Sequence, residues 1–125
     1  MKTKMLLIDV KNSGVCVVRA DGLDDYYKLI DCRCIDIVSR RIGENVYDII
    51  CDDEGLLVDS PRVSAVDSAG QPMLVGNLLI AGLADEEGHL TDLTADDIDY
   101  IAKRVLVART ADCVKGYPIL TQCNY

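Results

Sequence analysis

The stretch Met5-Leu6-Leu7-Ile8-Asp9-Val10, then Lys11-Asn12-Ser13-Gly14, then Val15-Cys16-Val17-Val18-Arg19-Ala20, decides the fold class. An apolar run closed by a short polar turn with Gly, and answered by a run rich in β-branched residues, predicts a β-hairpin. The first arm begins almost at the first residue. The start of the chain, with two lysines and a short apolar run before Asp9, is too short for a signal peptide and far too short to span a bilayer.

Outward from this hairpin the pattern changes period. Asp21-Gly22 breaks the chain, and Leu23, Tyr26, Tyr27 and Ile30 recur at helical spacing, with Asp24 and Asp25 where the helix dipole favours anions. A short helix is expected over 23–31. Ile35 to Ile42 alternates and reads as a strand. Gly43-Glu44-Asn45 turns it into a second strand over 46–51, giving a second hairpin. Asp52-Asp53-Glu54-Gly55 is the next turn, with Gly55 able to take the left-handed conformation, and Leu56 to Val58 extends the sheet briefly. The stretch 59–72 is the longest irregular one, with Val63 to Val66 able to pair. A buried strand is expected over 77–82. Thr94 and Asp97, in an acidic variant of the capping box, open a longer helix over 95–107. Residues 108–125, with Gly116 and Pro118, read as a tail holding one strand at 119–122. The expected architecture is α+β: a mostly antiparallel sheet of hairpins with one short and one longer helix packed on it. It forms a single domain over 1–107, followed by a C-terminal tail extension over 108–125.

Composition narrows the function classes. The chain has 125 residues, 50% of them hydrophobic, so one core can form without cross-links. With no Trp and no Phe, that core must rest on Ile, Leu and Val. Thirteen basic residues against 21 acidic ones give a net charge of −8. Such a chain repels the phosphate backbone, so no direct nucleic-acid binding is expected, and no apolar run reaches membrane length. An acidic surface can engage a basic protein, or simply keep the chain soluble. Six cysteines without an export signal point to reduced thiols and a cytoplasmic setting.

Motifs of bond-making chemistry are sparse. Cys32 and Cys34 form one Cys-x-Cys with no second knuckle, so no metal is expected. The acidic turns lack the alternating ligands and closing Glu of a calcium loop. The sole histidine, His89, sits in a polar turn, and no nucleophile elbow, phosphate-binding glycine loop or Walker motif occurs. No catalytic residue and no cofactor are assigned. The suggestive stretch runs from Pro61 to Gly82. Arg62 and Asn77 could hold an anionic or nucleotide-like ligand, Gly76 leaves room for close approach, and Tyr26 or Tyr27 could supply a stacking face. The alternative is that Arg62 meets a surface acid, Gly76 marks a bulge and the tyrosines pack.

The segments Gly22-Leu23-Asp24-Asp25-Tyr26-Tyr27-Lys28-Leu29-Ile30, Ile49-Ile50-Cys51-Asp52-Asp53-Glu54-Gly55, Pro61-Arg62 and Val75-Gly76-Asn77-Leu78-Leu79-Ile80-Ala81-Gly82, ahead of Asp85-Glu86-Glu87-Gly88, together resemble a known family. It is an uncharacterised family of small proteins, a domain of unknown function, from gut-type bacteria, their phages and conjugative elements. The resemblance covers about residues 5 to 102. Cys51 and Ser60-Pro61 stand where many members carry Asn. It carries over no activity, but its mobile-element setting implies an accessory protein that counters host defence. Three readings follow: a non-enzymatic inhibitor that binds a host defence protein, an oligomeric sponge for a small anionic nucleotide, and a cryptic hydrolase using carboxylates. The first is preferred; a homo-oligomer would serve the sponge, because a protomer this small offers shallow pockets and interfaces make deeper ones.

Overall fold

The computed structural model describes residues 2–57, 61–111 and 113–125. Its centre is a six-stranded sheet. The first hairpin forms as expected, from β1 (Thr3–Asp9) and β2 (Gly14–Ala20), with Leu6 opposite Val17. The second joins β3 (Ile35–Ile42) to β4 (Asn45–Asp52), with Val38 opposite Ile49. Between the hairpins lies β7 (Leu78–Ala81), antiparallel to both β1 and β4. The strand order is β10-β3-β4-β7-β1-β2, where β10 is Cys123–Asn124.

Both faces of the middle strands are buried, which is why their sequences run apolar without a break. On β1, Met5 and Leu7 point to one side, and Leu6 and Ile8 to the other. On β7 the split is Leu79 and Ala81 against Leu78 and Ile80. Helix α1 (Leu23–Ile30) covers the first side through Tyr26, Leu29 and Ile30. A second, four-stranded sheet covers the other, in the order β6-β5-β9-β8, from β5 (Val63–Val66), β6 (Pro72–Val75), β8 (Val105–Thr110) and β9 (Cys113–Leu120). Helix α2 (Ala95–Ala102) adds Ile98 and Ile101 to that side. The α+β reading holds, as a mostly antiparallel fold in three layers. No helix among the described residues is long and apolar enough to cross a membrane.

Three elements differ from expectation. Helix α2 opens on the expected capping box, with the Asp97 N–H donating to the Thr94 hydroxyl, but it stops five residues early. The Arg104 N–H turns back to the Ile101 carbonyl at 2.9 Å, and the aliphatic run Val105-Leu106-Val107 pairs with Pro118-Ile119-Leu120 as β8. An aliphatic run with two β-branched valines gains more from a ladder and a core than from another helical turn. Residues 113–124, read as tail, supply β9 and β10 and bury Tyr117, Leu120 and Cys123. The strand expected at 119–122 is the end of β9, which closes at Leu120. In the loop expected over 59–72, Val63 to Val66 does pair, and Pro72 opens β6; Val58, Asp59 and Ser60 lie outside the described residues.

Tyr47 ties α2 to the sheet. Its hydroxyl donates to Asp97 Oδ1 at 2.9 Å, and burial pushes its pKa up to about 12. Burial likewise raises the Cys51 and Cys123 thiols to about 11.

Two outcomes follow from this packing. A chain ended after residue 107 is expected to lose the cooperative thermal transition seen by circular dichroism in the full chain, because β5 would have no β9 beside it. The three raised groups are neutral in the fold and ionise more readily unfolded, so the stability they give is whole below pH 9 and is lost as pH rises through 9 to 12. Urea midpoints should fall steeply over that window, and Tyr47→Phe should flatten the fall by an amount worth on the order of 1–3 kcal/mol.

Candidate functional site

Three of the five residues singled out by sequence come together, and two do not. Arg62 lies just before β5 and Asn77 just before β7, and both reach the end of β1. The Arg62 Nη1 donates to the Val10 carbonyl at 2.7 Å, and the Val10 N–H donates to Asn77 Oδ1 at 2.9 Å. The Gly76 N–H donates to the Arg62 carbonyl at 2.9 Å. Gly76 has φ +76°, a left-handed backbone that side chains disfavour, while the space around it is open: a β-carbon there would stand 3.9 Å from Asp52 Cβ. Its role is a turn into β7 rather than a close approach. Asn77 is 2% exposed. Burial pushes the Asp9 carboxyl up, but bonds from Asn12, Asn77 and Lys11 outweigh it and hold Asp9 below the usual carboxylate range.

Tyr26 and Tyr27 sit on α1, in the opposite layer. Tyr26 packs on the α1 side of the sheet, and the Tyr27 carbonyl accepts from the N–H groups of Asp31 and Cys32 at the helix end. The aromatic that meets Arg62 is Tyr117, with its ring centre 5.1 Å from the guanidinium carbon. Sequence reading missed it because it lay in the segment taken as tail. The Arg62, Asn77 and Tyr117 contacts lock β1, β5, β7 and β9 together, with Arg62 Nη1 and Asn77 Oδ1 both turned to the Val10 backbone.

The more open feature lies at the other end of β4. The turn after β4 leads into a single 3-10 turn, Gly55–Leu57, that lies against β6. Gly55 does not use a left-handed backbone, as the sequence suggested. A β-carbon there would stand 2.6 Å from Val75 Cγ2, so the residue is required for close approach. The Leu57 N–H donates to the Glu54 carbonyl, and the Glu54 N–H to Asp52 Oδ1, both at 2.9 Å. This scaffold holds Leu56 73% and Leu57 76% exposed. Between them and Pro72–Val75 runs a groove of about 490 Å³, floored by Met73 and Leu74 and rimmed by Asp52, Asp53 and Glu54. A second hollow of about 370 Å³ shares Asp52, Glu54 and Leu57 and adds Asp31, Cys32 and Arg33. Arg33 pairs with Glu54 at 3.0 Å. The Leu-Leu pair after the acidic turn was the sequence signal, and it was read as a sheet extension.

These features sit inside a recognised domain. A family model described as a domain of unknown function, DUF3846, matches residues 1–106. The chain belongs to that family. The matched span includes the groove and the Arg62–Asn77 junction, and it ends within β8, before the strand that carries Tyr117. No curated protein and no solved structure matches the chain.

Asn77→Leu should leave the buried Val10 N–H without an acceptor and cost about 1–3 kcal/mol of stability. Urea denaturation checks this, with a near-neutral result showing that the junction does not hold the sheets together.

Proposed function

We propose that this chain is a non-enzymatic binding protein that acts by occupying a basic protein partner, with the acid-rimmed groove beside Leu56 and Leu57 as its contact surface. The observation that carries this reading is two large aliphatic side chains held about three-quarters exposed next to three carboxylates. An apolar patch with a charged rim matches the anatomy of a protein interface, where apolar anchors give affinity and the rim gives steering and selectivity. The overall charge of −8 would speed the approach of a cationic target. A role in counter-defence, blocking a host defence protein in the cytoplasm, is the class that the mobile-element setting of the resemblance suggests. The groove favours this over a nucleotide sponge, because Arg62 and Asn77 are engaged with Val10, and the groove rim would repel a phosphate.

The test uses a synthetic amphipathic peptide of alternating Leu and Arg. Amide shift mapping should place its effects on Leu56, Leu57, Met73 and the Asp52–Glu54 turn. Affinity should fall at least about tenfold between about 0.01 M and about 1 M salt, as the Debye length shrinks from about 30 Å to about 3 Å. Leu57→Asp should abolish the shifts. Shifts spread evenly over the acidic surface, unaffected by that variant, would show mere charge attraction.

A further inference from the structure

The opposite edge of the second sheet has the complementary chemistry. Among the described residues β8 pairs only with β9, so its outer backbone groups face outward. Edge strands of folded proteins are ordinarily blunted by inward charges, Pro or cover, because an apolar edge recruits another chain. The bulge and Arg109 lie at the far end of β8, and its first half is apolar: Leu106 and Val107 are each 61% exposed, and Val114 on β9 is 78% exposed. It is also locally basic. The stretch 103–115 carries Lys103, Arg104, Arg109 and Lys115 against Asp112, in a chain whose net charge is −8. Lys103 is spent on Asp99 at 2.9 Å, and Arg104 stacks on Tyr100 with a separation of 3.7 Å. Arg109 and Lys115 are exposed, and Lys115 lines a hollow with Val107 and the β1–β2 turn.

We infer that the occupant of this edge is a second copy of the chain, with the Leu106–Val107–Val114 surface of one copy seated on the acid-rimmed Leu56–Leu57 groove of the next. Charge complementarity selects this arrangement over edge against edge. Two β8 edges would set Arg109 and Lys115 against the same cations, whereas the groove offers Asp52, Asp53 and Glu54. The contact joins two different surfaces, so it is head-to-tail and repeats into a ring or a short filament rather than closing as a dimer. It rests on the reading of the groove as a docking surface, and it implies that a foreign basic partner must displace the neighbouring copy.

Sedimentation velocity of the full chain over a concentration series tests this. At about 0.01 M salt, species larger than a dimer should grow with concentration, and they should shrink towards monomer at about 1 M. Val107→Asp, which spoils the edge, and Leu57→Asp, which spoils the groove, should each be monomeric. Both positions are exposed, and melting curves are to check that each variant folds; Arg109→Glu serves as a second edge variant. Mixed in equal amounts, Val107→Asp and Leu57→Asp should form a one-to-one dimer and nothing larger, since only one sound edge and one sound groove remain. Wild-type protein that stays monomeric throughout overturns the inference. So does Leu57→Asp that still associates alone, which would indicate edge-to-edge pairing. If the wild type is monomeric yet the Leu-Arg peptide still maps to the groove, the head-to-tail contact fails while the binding reading stands. If the chain assembles and the peptide does not bind, the groove's role towards foreign partners fails instead.

Discussion

Double-sided burial of β1 and β7 is the constraint on which the rest of the structure depends. Neither strand has a polar face to turn to water, so each needs a layer above and a layer below. Helix α1 supplies one cover and the second sheet the other. That demand explains why the C-terminal residues cannot hang free: Tyr117, Leu120 and Cys123 belong to the same buried cluster as Leu6, Ile8 and Ile80 and cover part of their face. It also explains the junction at Val10. A strand buried on both sides must end somewhere with its backbone groups satisfied, and Arg62 and Asn77 take the carbonyl and the N–H at that point.

The fold was legible where a residue's period and its neighbours agreed. Both hairpins, α1 and the start of α2 follow from alternation, turn residues and caps that a single segment carries within itself. The second sheet did not, because β5 and β6 are four residues each with shifted register, and the link that joins its two hairpins is the Ala65 to Leu120 parallel pairing across a long separation. Val105-Leu106-Val107 satisfies a helical stripe as well as a strand, and only the presence of β9 decides between them. The same difficulty hid the candidate site. Arg62, Gly76 and Asn77 lie together, but Arg62 and Asn77 bond to the Val10 backbone. The exposed Leu56 and Leu57 looked like ordinary strand residues, since exposure is a property of the assembled layers and not of the letters.

Charge is distributed with the same logic. Acidic turns close β4 and follow β7, while four of the thirteen cations fall within residues 103–115. Such local unevenness leaves the net charge unchanged but gives the surface patches of unlike sign. Local potential, rather than net charge, then sets what each patch can meet.

The position of β7 has a consequence for how the chain reaches this shape. The two hairpins are local and close early, yet each leaves an unzipped seam, at Leu6 to Ile8 and at Asp48 to Ile50, until residues 78–81 arrive to fill both. The central sheet is therefore incomplete until that strand is made, and a ribosome-bound fragment lacking it would display two adhesive margins at once. Such a topology folds slowly for its size and favours prompt completion of synthesis over pausing midway.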